Sequence, residues 1–319
     1  MCLMEVNSSI SNFNLMKKFL TRLLIIICIT LVADRALSYV VKFFYNTTTT
    51  TDEYKMNTVI YRMNDPVVFM GSSRCHHHYI PSIISDTLQT GVYNAGLWGM
   101  HNIYFQYGLL SNILKRYTPK VICLELHPID YLQTPFSNVE TVGSLLPFIN
   151  FSSGCDDVLK KAGVYYKGEL SHLYRYNSQF ANILAGNLTE RSFAADKGYK
   201  SLGGQLDTAY GKITPEEFPY PVDEQKVKYL QAFIDKCKEN KINLIFLYSP
   251  MYAVEKTNLF DVPNRIAKKN GITFINHYDL KGITGHLECY HDFGHLNDTG
   301  AKRYSAIIAS ELKTYIKSK

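Results

Sequence analysis

Five short apolar runs, each followed by a longer stretch of helical periodicity, constrain this 319-residue chain more than any other feature. The runs are Pro66–Met70, Val92–Asn94, Val121–Leu126, Ile242–Tyr248 and Ile272–Ile275. Each is too short for a core helix, and several are apolar at successive positions, the pattern of a strand buried on both faces. The intervening segments Ile80–Leu88, His101–Tyr117, Asp223–Asn240, Leu259–Asn270 and Thr299–Lys317 carry apolar residues at helical spacing, and Gly271 is placed to cap the fourth. Strand–helix alternation of this kind predicts an α/β domain, three layers deep, with five parallel strands.

The first run ends at Gly71, and Ser72-Ser73-Arg74 follows at once. Open α/β sheets place reactive groups where a buried strand turns into a helix. Ser73 is the candidate nucleophile there, and a plain serine N-cap is the competing reading. Near the other end stands His291-Asp-Phe-Gly-His-Leu-Asn-Asp-Thr-Gly-Ala301. Asp292 lies three residues before His295, a spacing that lets a carboxylate orient an imidazole, which can then take a proton from a serine hydroxyl. Between them Tyr93-Asn-Ala-Gly-Leu-Trp-Gly99 forms a glycine-rich loop.

In this order the three blocks resemble the SGNH (GDSL-like) hydrolase superfamily, over roughly residues 60–130 and 225–319. The resemblance implies a flavodoxin-like sheet of order 2-1-3-4-5. It assigns Ser73, Asp292 and His295 as the catalytic trio and Gly96 as an oxyanion donor. Two departures stand out: Ser72 replaces the usual aspartate of Gly-Asp-Ser, and Leu124-Glu-Leu-His-Pro-Ile-Asp130 replaces the usual Gly-x-Asn-Asp. His127 and Asn94 are the candidates to supply the missing side-chain donor, and Arg74 completes the expected oxyanion and substrate-binding set. The variant is similar to membrane-anchored members that handle acyl groups on bacterial cell-surface polymers, such as D-alanyl transfer and alginate O-acetylation proteins. That likeness implies an acylated glycan or small acyl ester as substrate, a multi-spanning membrane acyltransferase as partner, and no cofactor. It leaves open hydrolysis, acyl transfer, and a catalytically inactive scaffold or glycan-binding role.

Residues 1–15 read as a flexible tail, or as residues ahead of a more natural start at Met16. Lys17, Lys18 and Arg22 then precede the apolar run Leu23–Ala33, and Ala36–Tyr45 resumes it after Asp34 and Arg35. One reading is an uncleaved anchor over 19 to about 41; the other is a signal peptide cut near Ala36-Leu-Ser38. Both place the rest of the chain outside the cytoplasmic membrane, on the face away from the flanking positive charge. Residues 46–53 read as a linker after the 16–45 segment, with the domain occupying 54–319.

Residues 131 to about 220 interrupt the rhythm and read as an insertion over the carboxyl edge of the sheet, helical at Leu170–Leu184 and looped at Ser201–Gly211. Its tyrosines (165, 166, 174, 176, 199, 210 and 220) suit either sugar binding or ordinary packing. Cys75-His-His-His-Tyr79 does not read as a metal site, because adjacent helical positions face different directions. It reads as a helix start beside the site, with one histidine lining a pocket. Seven cysteines without a Cys-x-x-Cys pair read mostly as buried thiols, with one disulfide as an alternative. A net charge of +6 without a basic, aromatic-interleaved run argues against nucleic-acid binding. There is neither a Gly-x-Gly-x-x-Gly after the first strand nor a Walker lysine, which argues against a nucleotide site.

Overall fold

The structure, a computed structural model, describes residues 2–134, 138–177, 179–188, 196–207 and 217–317. In chain order its elements are α1 (Cys2–Thr47), α2 (Asp52–Tyr61), β1 (Val67–Met70), α3 (Ser73–His78), α4 (Pro81–Leu88), β2 (Val92–Asn94), α5 (Ile103–Ile113) and β3 (Val121–Glu125). The inserted lobe adds α6 (Asn138–Val142), α7 (Ser153–Lys161), α8 (Tyr165–Leu170) and α9 (Phe180–Leu188). Then come α10 (Glu224–Glu239), β4 (Asn243–Tyr248), α11 (Asp261–Asn270), β5 (Thr273–Asn276) and α12 (Asp298–Lys317).

All five strands are parallel, in the order β2-β1-β3-β4-β5. The strands β1, β2 and β3 are buried at every position, as their unbroken apolar character requires. Their side chains alternate between two cores. Val68, Met70, Ile122 and Leu124 join α2, α5 and α10 on one face; Val67, Phe69, Val121 and Cys123 join α3, α4 and α12 on the other. The expected three-layer domain and strand order are therefore present.

The turn after β1 depends on glycine. Gly71 has φ +154°, and a Cβ there would meet the Cys75 Cβ at 2.8 Å and the Glu125 Cβ at 3.0 Å. This close passage sets α3 directly on the carboxyl end of the sheet.

Several expectations need correction. The helix α1 runs unbroken from Cys2 onward, where a flexible tail over residues 1–15 was expected, because an established helix extends at little cost per residue. At about 1.5 Å per residue its 46 residues span roughly 69 Å, well beyond a bilayer core of about 30 Å. It is long and apolar enough to cross a membrane between Phe13 and Thr47. Asp34 and Arg35, however, do not sit bare inside an anchor running to 41. Asp34 accepts hydrogen bonds from the Ser171 hydroxyl (2.5 Å) and the His172 N–H (2.8 Å), while Arg35 reaches the carbonyls of Glu169 and Leu170. From there Ser38 and Tyr45 bury one stripe of the helix against the domain.

That same carboxylate explains why Leu170–Leu184 is not one helix. The helix α8 stops at Leu170, a short 3-10 turn occupies Leu173–Tyr176, and α9 begins at Phe180. Asp34 caps the new turn from a distant part of the chain. The expected linker is also packed: Thr49 N–H bonds Gly186 O, and Thr48 is buried.

The insertion does not all lie over the carboxyl edge. The helices α7 and α9 pack on α5 and α1, whereas the 197–206 segment crosses the sheet end, bonding Asn94, His76 and Tyr290. Ser201–Asp207 is irregular as expected; Tyr210 and the rest of that loop lie outside the described residues. Tyr176 and Tyr199 are packing residues, whereas Tyr166 is exposed. Cys28, Cys75, Cys123, Cys155, Cys237 and Cys289 are free thiols, all but Cys28 buried, so no disulfide forms among them.

Replacing Asp34 with Ala removes a cap and should cost about 1 kcal/mol, with Asp34→Asn retaining most of it. Limited proteolysis of the detergent-solubilised chain checks this: cleavage within 165–180 should quicken in D34A and stay near wild type in D34N.

Candidate active site

Ser73 is the first residue of α3, at the carboxyl end of β1. Its Oγ lies 2.8 Å from His295 Nε2. On the other side of that ring, Nδ1 stands 2.9 Å from Asp292 Oδ2 and 3.0 Å from Oδ1. Asp292 also accepts from the N–H groups of Gly294 and His295, both at 2.8 Å. Partial burial works against the Asp292 charge, but the His295 ring and these two N–H donors outweigh it and hold the carboxyl below its usual range. Two segments 222 positions apart thus form a continuous hydroxyl–imidazole–carboxylate relay.

A buried polar network beneath the relay brings these segments together. Glu125, at the end of β3, accepts from Ser249 N–H (2.9 Å), Ser249 Oγ–H (2.6 Å) and the Tyr79 hydroxyl. Arg74 contributes a guanidinium 3.4 Å from Glu125, donates to Ser249 Oγ (2.8 Å) and stacks over the Tyr248 ring at 4.1 Å. Burial alone would lower the Arg74 pKa; Tyr248 and Glu125 reverse that and raise it. His78 completes the bridge. Its Nε2 accepts from the Leu296 N–H (3.0 Å), so its Nδ1–H donates to Ser249 Oγ (2.7 Å). Because Leu296 follows His295, this bond clamps the imidazole-bearing loop to the helix that carries Ser73.

Three expected oxyanion or substrate contacts are used internally instead. Arg74 is buried in the network just described. Asn94 is fully buried; its amide donates to Cys75 O (2.7 Å) and Tyr79 O (2.8 Å), capping the end of α3. Its carbonyl oxygen accepts the Gly96 N–H at 3.0 Å, which commits that donor as well. Glycine at 96 serves close packing, since a Cβ there would lie 2.6 Å from His76 N. Gly96 O is held by Lys55, a buried lysine from α2 that also bonds Gly198 O (2.6 Å) and His76 Nδ1 (2.9 Å). Burial pulls the Lys55 pKa down to about 7.

His127 remains available. It follows β3 at the same sheet edge, and its Nδ1 accepts from the Ile129 N–H at 3.4 Å, which leaves the proton on Nε2. Burial holds its pKa at about 3, with the charges of Arg74 and His295 adding to the effect, so it is a neutral donor. The Ser73 N–H, in the first turn of α3, likewise has no carbonyl within its helix. A cavity of about 590 Å³ lies between the 217–219 and 255–261 segments, and Phe218 of its lining packs on His127.

Lys55, His78, Glu125 and Ser249 were not singled out in the sequence. Glu125 left a signal, a charge closing an otherwise apolar strand. The three consecutive histidines diverge: His76 faces Gly96 and Lys55, His77 bonds Lys200 O, and His78 faces Ser249.

No known family profile matches the chain, and no curated protein matches it. Among solved structures, it is similar to a protein assigned to the G-D-S-L lipolytic family from Desulfitobacterium hafniense DCB-2, at 11% identity over 77% of this chain and 98% of that one, with a TM-score of 0.38. It is also similar to the acetyl xylan esterase AlAXEase, at 14% identity over 78% of this chain and 98% of that one, with a TM-score of 0.40.

Two outcomes follow from the buried groups. Glu125→Ala strands the Arg74 charge and should cost about 3–5 kcal/mol, read as a shift in the urea midpoint. Acid should also destabilise the fold well above the carboxylate range. Folded His77 and His127 have pKa values of about 3 against 6.5 for the free group, and His76 and His78 are also depressed by burial. Between pH 6.5 and 3 the unfolded chain therefore binds protons that the folded chain refuses. For His77 and His127 that costs roughly 2 kcal/mol each by pH 5, and His76 and His78 act in the same direction. Asp130, buried and raised to about 7 against 3.8, works the other way and offsets about one of them. Lys55, half-protonated at pH 7, adds a little under 1 kcal/mol to the loss between pH 7.5 and 5. Urea melts at pH 7.5 and 5.0 should thus show a net loss of about 2 kcal/mol or more at the lower pH.

Proposed function

We propose that this chain is a serine-dependent ester hydrolase or acyltransferase of the SGNH type, acting through an acyl-serine on O-acyl, chiefly O-acetyl, groups of cell-surface polysaccharide. The observation that carries this reading is the relay Ser73 Oγ–His295–Asp292, in line and in hydrogen-bond reach at both links. In this mechanism His295 Nε2 takes the Ser73 proton as Oγ attacks the ester carbonyl, then delivers it to the leaving alcohol. Asp292 holds the ring and stabilises its charged form. The Ser73 N–H and the His127 Nε2–H are the two donors proposed to face the oxyanion, the imidazole standing in for the absent asparagine. Water or a sugar hydroxyl then releases the acyl group by the reverse path.

The membrane reading belongs to the same proposal. Residues 13–33 form the exposed, undocked part of α1, roughly 30 Å long and uncharged apart from Lys17, Lys18 and Arg22 near its start, a length comparable with a bilayer core, and Asp34 is the point where α1 meets the domain. Ser38 is buried on the docking stripe, which favours an uncleaved anchor over cleavage at Ala36-Leu-Ser38. Lys17, Lys18 and Arg22 favour the cytoplasmic side for the start of the helix, with the domain on the outer face.

A non-catalytic envelope protein of the same fold is the rival reading. The internal engagement of the Gly96 N–H and the Asn94 amide favours it. A fluorophosphonate probe separates the two: the full chain in detergent should gain one adduct, mapped to Ser73 by mass spectrometry, and S73A should gain none. Labelling of S73A equal to wild type would remove the serine assignment, and silence of the wild type across pH 6–9 would favour the scaffold. With p-nitrophenyl acetate, Asp292→Asn should lower kcat by roughly 10⁴-fold and His127→Ala by about 10²–10³-fold with KM little changed.

A further inference from the structure

Beside the relay lies a second cavity, about 340 Å³, lined in part by Thr51, Asp52, His77, Trp98, Asn182 and Lys200. Its inner wall is shared with the relay. The Trp98 ring lies nearly parallel to the His295 ring (26°, centroids 5.7 Å apart), and the His77 ring meets both, at 5.0 Å from Trp98 and 6.0 Å from His295. Trp98 is 51% exposed, an unusual position for the largest apolar side chain.

His77 is the second, independent observation. It is fully buried, and its Nδ1 lies 2.7 Å from Lys200 O, so that nitrogen carries the proton. Nε2 is then a bare acceptor with no hydrogen-bond partner among the described residues. A buried acceptor without a donor is costly, which makes it a position for an O–H or N–H brought by a ligand. The imidazole is neutral in the folded chain, its pKa pushed down by burial to about 3. One carboxylate (Asp52) and one ammonium (Lys200) balance each other, so the lining favours neither an anion nor a cation. A flat aromatic face, a buried acceptor and surrounding amide and hydroxyl groups together match a neutral, hydroxyl-rich ring.

We infer that this cavity is the subsite for the acyl acceptor, a neutral sugar ring that packs on Trp98 and donates one hydroxyl to His77 Nε2 while another faces the acyl-serine. This rests on the acyl-serine reading above. In the transfer step the second hydroxyl's oxygen attacks the acyl carbonyl carbon and its proton passes to His295 Nε2. The bond from that carbon to Ser73 Oγ breaks, and Oγ takes the proton back, leaving the acyl group as an ester on the sugar. By holding the ring, the subsite sets transfer against hydrolysis.

Trp98 is the only tryptophan in the chain, so its emission reports on this cavity alone. The full chain carrying S73A is titrated in detergent with xylotetraose, maltotetraose and triacetylchitotriose. At least one should give a saturable blue shift, and inorganic phosphate should neither produce nor block it. His77→Phe should weaken that binding at least tenfold, and Asn182→Ala, at an exposed position whose amide bonds Glu53, about threefold, with far-UV circular dichroism confirming that both variants keep the fold. With Ser73 present and p-nitrophenyl acetate as donor, the ratio of sugar ester to free acetate should fall at least fivefold in H77F and measurably in N182A. No saturable change with any of the three sugars, or binding and product ratio unmoved in both variants, overturns the subsite. The p-nitrophenol burst of the wild type against S73A reports separately on the acyl-serine: its loss removes the enzyme, whereas a Ser73-dependent burst without any sugar effect removes only the subsite.

Discussion

The arrangement at the sheet edge depends on one guanidinium that has been taken out of water. Arg74 is almost wholly enclosed, and a buried charge is tolerable only when paired and hydrogen-bonded. Glu125 supplies the opposite charge from the end of β3, and Ser249 supplies oxygens from the end of β4. Since Arg74 is the residue after Ser73, satisfying its charge fixes the first turn of α3 against two central strands. The interaction says little about net stability, because desolvation opposes it, but it leaves few alternatives for where the adjacent hydroxyl can point.

From that anchor the positioning spreads through groups that share atoms. Ser249 Oγ is held by Glu125, Arg74 and His78, and His78 in turn takes the N–H of Leu296. Asn94 and Lys55 hold the opposite flank, tying the Gly96 loop to the end of α3 and to α2. Most of the polar groups beneath the edge are thereby engaged by each other, Arg74 Nη1 excepted, while Ser73, His295, His127 and His77 line the edge itself or the neighbouring cavity. This division of labour separates preorganisation from chemistry within a few ångströms.

Much of this was legible in the sequence because it is written locally. Strands buried on both faces announce themselves as unbroken apolar runs, and Asp292 and His295 are three residues apart, so their mutual geometry follows from spacing alone. What escaped depends on partners distant along the chain. Glu125 meets Ser249 across 124 positions and Lys55 meets Gly96 across 41, and neither residue carries a local mark of its partner. Asn94 and Gly96 were read as donors to a ligand because their types suit that task; the fold spends them on each other. The insertion was misread for the same reason: the break between α8 and α9 is capped by a carboxylate more than 130 residues upstream. Tertiary context overrode local propensity there, as it commonly does.

The way α1 leaves its apolar stretch has a consequence for what the protein can reach. Asp34, Ser38 and Tyr45 dock along about 17 Å of a continuous helix, so nothing between the apolar stretch and the domain behaves as a swivel. A head on a loose string would sweep a hemisphere and meet polymer at many altitudes. This one is mounted on a mast: if α1 is seated in a bilayer as proposed, Ser73 would patrol a single thin stratum above the lipid, and only molecules passing through that stratum would come within its reach.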